Sequence, residues 1–373
     1  MQITIDAANI KFGGGLQVAL SVIDFFSQVC DDKLSFNYVV SNEIYIQSDF
    51  LQRQRGSNVL VINTDILTLL PFSKKRKTIQ NYCFNSDIVF TIFGPALWGR
   101  VDNHVLGFAN AWLVKPDSPA YEVLDFISYI KLKAKNFLLS RLLYNPRSKY
   151  ITETEDVKNA FIKYFGCDSQ QICVVPNTLP YIYQSELIIK GVVVPVGLES
   201  KFKFITISAN YPHKNLRIIS EVGKLLDLHN LKFVFMVTLD FDEYDLMDDD
   251  FKKYTYNIGP LNVDECPSWY SIADALFLPT LIECFSVSYL EAMYYQLPIA
   301  TSNYDFAINI CNDAAAYFDP TDVDDVAEVL IKVVEDKQLR ESLSSRGLKI
   351  VNRHPTSDER CRLYLEKLIN FFR

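Results

Sequence analysis

The chain lacks any close pairing of cysteines. Its eight cysteines are scattered with no Cys-x-x-Cys pair, so their spacing gives neither a zinc site nor a disulfide framework. Most sit inside apolar patterns, which suits buried thiols in a reducing compartment. No uninterrupted apolar run reaches the roughly 18 residues needed to span a bilayer. The first fifteen residues, MQITIDAANIKFGGG, have no basic leader, and Asp6 and three glycines break their apolar run. A signal peptide is therefore not expected, and a cytoplasmic location is. Internal repeats, low-complexity tracts and aspartate clusters with metal-ligand character are also missing, so no divalent ion is expected.

What is present is a chain of 373 residues with 49% hydrophobic content. That is too long for one ordinary core and calls for two domains. Apolar segments alternate with amphipathic ones. Strands are expected at 2–6, 37–40, 59–62, 88–93, 105–108, 150–152 and 172–175, then at 202–208, 232–237, 253–258, 275–278 and 299–301. Helices fall between several of them, notably at 16–29, 119–143, 155–165, 323–336, 339–351 and 359–372. This is the pattern of an α/β protein with parallel sheets wrapped by helices. The net charge of −8 conceals an asymmetry: residues 51–150 carry +8 and residues 191–373 carry −10. A bulk nucleic-acid binder is not expected to divide its charge this way.

The stretch ALFLPTLIECFSVSYLEAMYYQLP, from Ala275 to Pro298, carries the most chemistry. The run 275–278 reads as a strand buried on both faces. A short loop bears Glu283, and Ser286 can cap a helix in which Val287, Leu290 and Met293 recur at helical spacing. Two carboxylates, Glu283 and Glu291, then bracket a helix start at the carboxyl end of a parallel strand, where open α/β sheets bind ligands. A helix N-terminus suits a phosphate, and an ionised carboxylate can accept from the two hydroxyls of a vicinal diol. Taken alone, a glutamate on a helix is usually a solvated residue.

The Glu-x7-Glu spacing, followed by Ala292-Met293 and Leu297-Pro298, resembles the glutamate pair of retaining glycosyltransferase family 4. That resemblance implies the GT-B fold: two facing Rossmann-like domains with parallel sheets and a donor cleft between them. It implies an acceptor domain at 1–180, a linker at 181–200, a nucleotide-sugar donor domain at 201–355, and a C-terminal helix at 356–373 crossing back to the first domain. It also implies roles. Glu283 would hold donor-sugar hydroxyls and Glu291 the ribose, with Phe285, Ser286 and Val287 at the helix start facing the diphosphate. The turn Ser208-Ala-Asn-Tyr-Pro-His-Lys-Asn215 is similar to the family's second phosphate element and makes Lys214 the diphosphate cation. Gly13, Gly14 and Gly15 resemble the glycine-rich loop facing the donor phosphates; as a dinucleotide fingerprint they fail, because Val18 replaces the third glycine. A plain tight turn is the other reading. His104 stands where family members have a histidine that reaches the donor sugar, although a lone histidine is also often structural.

The sequence departs from the family at Cys284 and Ser286, where glycines are usual, and at Ala209, where an arginine is usual. The implied activity is retaining transfer from a nucleotide-diphosphate sugar to a glycan or lipid-linked saccharide, in cell-surface polysaccharide assembly. No cofactor beyond the donor is implied. A catalytically weak GT-B protein that binds sugar nucleotide or scaffolds a partner is the alternative. Two basic stretches, 74–77 and 129–144, mix cations with aromatic and aliphatic residues. They can meet an anionic membrane at the inner face or form an ordinary solvated flank.

Overall fold

The computed structural model describes residues 1–53, 58–99, 101–183 and 192–372. It divides into two units: Met1–Lys115 with Ile130–Pro180 and Pro355–Arg373, and Pro116–Tyr129 with Tyr181–His354. The first is built on a parallel sheet of β1 (Gln2–Ala7), β2 (Ser35–Val40), β3 (Val59–Val61), β4 (Ile88–Thr91), β5 (His104–Phe108), β6 (Lys149–Thr152) and β7 (Ile172–Val174). Their spatial order is β3-β2-β1-β4-β5-β6-β7. The second unit's sheet holds β8 (Phe202–Thr206), β9 (Phe233–Val237), β10 (Thr255–Asn257), β11 (Ala275–Leu278), β12 (Ile299–Ser302) and β13 (Ala315–Phe318). Its order is β10-β9-β8-β11-β12-β13, again parallel throughout.

Both orders are doubly wound, with β1 beside β4 and β8 beside β11. Loops leaving such non-consecutive neighbours diverge to opposite faces and open a crevice at the strands' carboxyl ends. The central strands are largely buried because helices cover both faces; β4, β11 and β12 are fully buried, the last carrying Thr301 and Ser302 beside its apolar residues. In the first unit, Ile3, Ile5, Phe90 and Val105 share a core with Cys361, Tyr364 and Leu368 of the helix Ser357–Asn370. Burying side chains of this size contributes about 1.5–3 kcal/mol each, which is what fastens the end of the chain to this unit. The second core is aromatic, with Phe204, Phe235, Phe277 and Phe318 in contact.

Two local expectations are corrected. The helix expected at 119–143 is a 3-10 turn, Pro119–Tyr121, followed by a separate helix, Phe126–Leu143. Asp125 starts the latter by accepting from the N–H groups of Ile127 and Ser128, both at 3.0 Å. The strand expected at 253–258 shortens to Thr255–Asn257, because Asp248 caps a helix, Asp249–Tyr254, through the N–H of Phe251. After the 208–215 turn, Leu216–Ile218 forms a 3-10 turn that leads into the α-helix Ile219–Leu228. Of the expected linker, Tyr181–Tyr183 forms a 3-10 turn, and residues 184–191 lie outside the described residues. All eight cysteines are free thiols. Among the described residues no helix is long and apolar enough to cross a membrane.

Candidate functional site

The adjacency of β8 and β11 brings together the two loops that follow them. Past β8, the N–H of Ser208 donates to Thr238 Oγ1 at 3.0 Å, anchoring the loop to the end of β9. The chain then makes the 3-10 turn Pro212–Lys214, and Asn215 leaves it in the left-handed region at φ 55°. Past β11, the N–H of Leu281 and the hydroxyl of Thr280 both donate to the carbonyl of His213, at 2.8 and 3.1 Å. These two bonds fasten loop to loop.

They also set the central contact of the site. Lys214 Nζ forms an ion pair with Glu283 Oε1, with side chains only 14% and 13% exposed. Thr280 Oγ1 also lies 3.3 Å from the same carboxylate oxygen, sharing its one proton between it and the His213 carbonyl. The neighbouring His213 is neutral near pH 7, because burial lowers its pKa to about 4. Its imidazole therefore adds no second cation beside Lys214. Ser118, from the segment 116–129, donates to the carbonyl of Leu281 at 3.2 Å and steadies the same loop.

Beyond Glu283 the chain runs through Cys284 and Phe285 to the helix Val287–Tyr294. Ser286 occupies the N-cap position in an extended conformation, yet its hydroxyl makes no capping bond. It therefore leaves the helix's first N–H groups to another acceptor. Phe285 packs against the His354 ring at 6.2 Å. One turn into the helix, Glu291 is 6% exposed. Its Oε1 accepts from Tyr183 and its Oε2 from Tyr270, both at 2.9 Å. Desolvation raises its pKa above the ordinary carboxylate value, and the two phenol hydrogen bonds offset part of that rise.

The first unit's expected residues lie on different ground. Gly13, at φ 72°, precedes the helix Gly14–Ser27, and a Cβ on Gly13 or Gly14 would meet nothing within 4 Å. On Gly15 a Cβ would touch Phe93 at 3.5 Å. His104 opens β5, at the amino end of the sheet, and is 1% exposed. Its Nε2 lies 2.9 Å from Thr91 Oγ1, and its ring stacks on Trp98. Thr91 and Trp98 in turn donate to Asp6 Oδ2 at 2.8 and 2.7 Å. The expectation of a histidine reaching a sugar thus meets a ring enclosed in a buried polar network.

Of the basic stretches, the helix Phe126–Leu143 carries apolar residues around its whole circumference, and Ile130, Phe137 and Leu138 are exposed. Exposed Lys131, Lys135 and Arg141 stand among them, and Arg141 lies over the Phe137 ring at 4.3 Å. Within 74–77, Lys75 pairs with Asp65 at 2.8 Å and Arg76 donates to the carbonyl of Leu69.

Two doubly wound parallel sheets, the second with a cation–carboxylate pair at its crossover point, define a protein of the GT-B fold. Solved structures bear this out over the whole length. WaaG, described as a glycosyltransferase involved in lipopolysaccharide biosynthesis, aligns over 97% of this chain and 98% of its own at a TM-score of 0.68 and 15% identity. Anabaena Alr3699/HepE in complex with UDP-glucose aligns over 99% and 100% at a TM-score of 0.69 and 14% identity. Residues 196–350 match the family described as glycosyl transferases group 1. That match lies within the second unit. Among curated proteins it is 27% identical over 202 residues to the O-antigen chain mannosyltransferase RfbU of Salmonella typhimurium, covering 52% of this chain and 53% of that one. It is 30% identical over 91 residues to the Escherichia coli O-antigen chain mannosyltransferase B, covering 24% of each. The chain spans about half the length, or less, of these curated relatives.

Proposed function

We propose that this protein is a retaining glycosyltransferase that moves a sugar from a nucleotide-diphosphate donor to a glycan or lipid-linked saccharide in cell-surface polysaccharide assembly. The observation that carries the proposal is the enclosed Lys214–Glu283 pair beside the uncapped start of the helix Val287–Tyr294. The donor's diphosphate would lie against the N–H groups of that helix start and the Lys214 ammonium. Breaking the anomeric bond places negative charge on the leaving phosphate, and fixed donors aimed at that charge stabilise the transition state. Lys214 would supply the charge that a metal ion supplies elsewhere, so no divalent ion enters the proposal. Glu283, oriented by Lys214 and Thr280, would accept hydrogen bonds from sugar hydroxyls. Glu291 would do the same for the nucleoside diol. The acceptor would attack on the face the phosphate leaves, and the phosphate would take its proton, so no protein nucleophile is required.

The names of the relatives support the substrate class: two are O-antigen mannosyltransferases, and one structural neighbour is described with UDP-glucose. The exposed apolar and basic face of the helix Phe126–Leu143 supports contact with an anionic bilayer, where a lipid-linked acceptor would be found. Flotation with phosphatidylglycerol vesicles, but not with neutral ones, is the expected result. Equal behaviour with both vesicle types would remove the membrane from the proposal. For the reaction itself, UDP- and GDP-sugars are incubated with saccharide acceptors in excess chelator and the product is examined by NMR. Transfer with the donor's anomeric configuration kept is expected. Inversion, a metal requirement, or donor hydrolysis without transfer would each contradict the reading.

A further inference from the structure

Glu291 is held in a way that the proposed reaction does not by itself call for. Each of its two oxygens accepts one phenol hydroxyl at 2.9 Å, from Tyr183 and from Tyr270. The two phenols come from separate elements, the turn Tyr181–Tyr183 and the helix Cys266–Tyr270. Neither is a neighbour of Glu291 on its own helix, and both are buried. Tyr183 packs edge-on against Tyr294 at 5.7 Å, and Tyr270 stacks on Tyr295 at 6.1 Å, so both rings are held independently of the carboxylate.

Resting on the donor-site reading above, we infer that Tyr183 and Tyr270 are positioning residues that fix the Glu291 carboxylate for recognition of the nucleoside's vicinal hydroxyls. A carboxylate has about four acceptor positions. Two phenol donors, one on each oxygen, occupy two of them and leave one on each oxygen for a diol. They also stop rotation about the terminal torsion, which is broad for a free glutamate. A buried carboxylate without partners tends to take up a proton, and a protonated acid cannot accept from both hydroxyls of a diol. The two phenols oppose that tendency. The other titratable groups that feel the Glu291 charge are Cys266 and Tyr295, neither of which brings positive charge.

The test is calorimetric binding of the ribonucleoside diphosphate the protein prefers and of its 2′-deoxy and 3′-deoxy forms. It compares wild type, Tyr183→Phe, Tyr270→Phe and Glu291→Gln. The wild type should favour the ribo form, and each Tyr→Phe change should weaken ribo binding about five- to tenfold, as for loss of one net hydrogen bond. Binding of the deoxy forms should change little, so the ribo preference collapses, and Glu291→Gln should collapse it too. The acid limb of ribo binding should move to higher pH in the Tyr→Phe variants, because the bonds that keep the carboxylate ionised are weakened. A purely structural role would weaken ribo and deoxy binding equally and leave the pH limb in place, and that result overturns the inference. The tyrosines lie on different elements, so one folded variant suffices. Wild type that binds no nucleotide would instead sink the donor-site reading itself.

Discussion

At the centre of each sheet, two strands that are neighbours in space but not in sequence deliver two loops to one edge: β1 and β4 in the first unit, β8 and β11 in the second. In the second unit that edge holds an ammonium, a carboxylate and an uncapped helix start. In the first it holds glycines and Phe93, and Asn9 Nδ2 ties the loops by donating to the carbonyl of Phe93 at 2.7 Å. The first unit's polar side chains, Asp6, Thr91, Trp98 and His104, are turned into the sheet's interior and bond to one another. The same topology thus serves two ends. One crossover is equipped to stabilise charge, and the other leaves backbone open while its polar groups hold the fold.

The comparison breaks most visibly at Glu283. Glu283→Gln should lower kcat/KM for transfer by roughly 10²–10³-fold, the range for loss of one electrostatic contact in a preorganised site, with little change in melting temperature. A steady-state assay beside a thermal melt checks this; intact transfer would move the chemistry elsewhere. His104→Ala should do the reverse. Emptying a buried site costs about 2–4 kcal/mol of stability, while kcat per folded molecule holds within about threefold. Loss of transfer with an unchanged melt would return His104 to the reacting sugar.

A subtler contrast lies in pH. Burial raises the pKa of Asp6 despite its hydrogen bonds from Trp98 and Thr91. A carboxyl whose folded pKa is raised contributes stability that is fully present below its unfolded pKa. That contribution is lost as pH rises through the folded pKa. Asp6→Asn keeps an acceptor for both donors and should flatten that part of the stability–pH curve measured by urea unfolding. A variant curve parallel to wild type would remove Asp6 as the cause. The smallest effect is expected at Ser286. Replacing a bonded N-cap serine by alanine typically costs about 1 kcal/mol, but Ser286 makes no such bond. Ser286→Ala should therefore shift stability by less than about 0.5 kcal/mol in the same experiment.

Much of the architecture was legible in the sequence because the central strands are buried on both faces and read as plain apolar runs, as at Ala275–Leu278. Helix Glu155–Phe165 was readable as an amphipathic segment between two strands, and the structure bounds it with the Thr154 cap and Gly166. Boundaries were lost where a side chain captured the backbone locally, as Asp125 and Asp248 do. Lys214 and Glu283 were legible because each lies within a short recognisable stretch, although their pairing across 69 positions is a product of strand order. The phenols on Glu291 left no trace, since Tyr183 lies in a segment read as linker and Tyr270 in another element. His104 shows the converse: local context suggested a ligand, and burial at the amino end of β5 decides what the ring touches.

The most direct measurement is calorimetric titration of UDP, GDP and their sugars into wild type and Lys214→Ala, with and without chelator. The account predicts that one nucleoside diphosphate binds wild type, that chelator leaves binding unchanged, and that Lys214→Ala weakens it about 10- to 100-fold, as for loss of a charged hydrogen bond. A folded wild-type protein that binds no nucleotide, or binds equally well without Lys214, would contradict it.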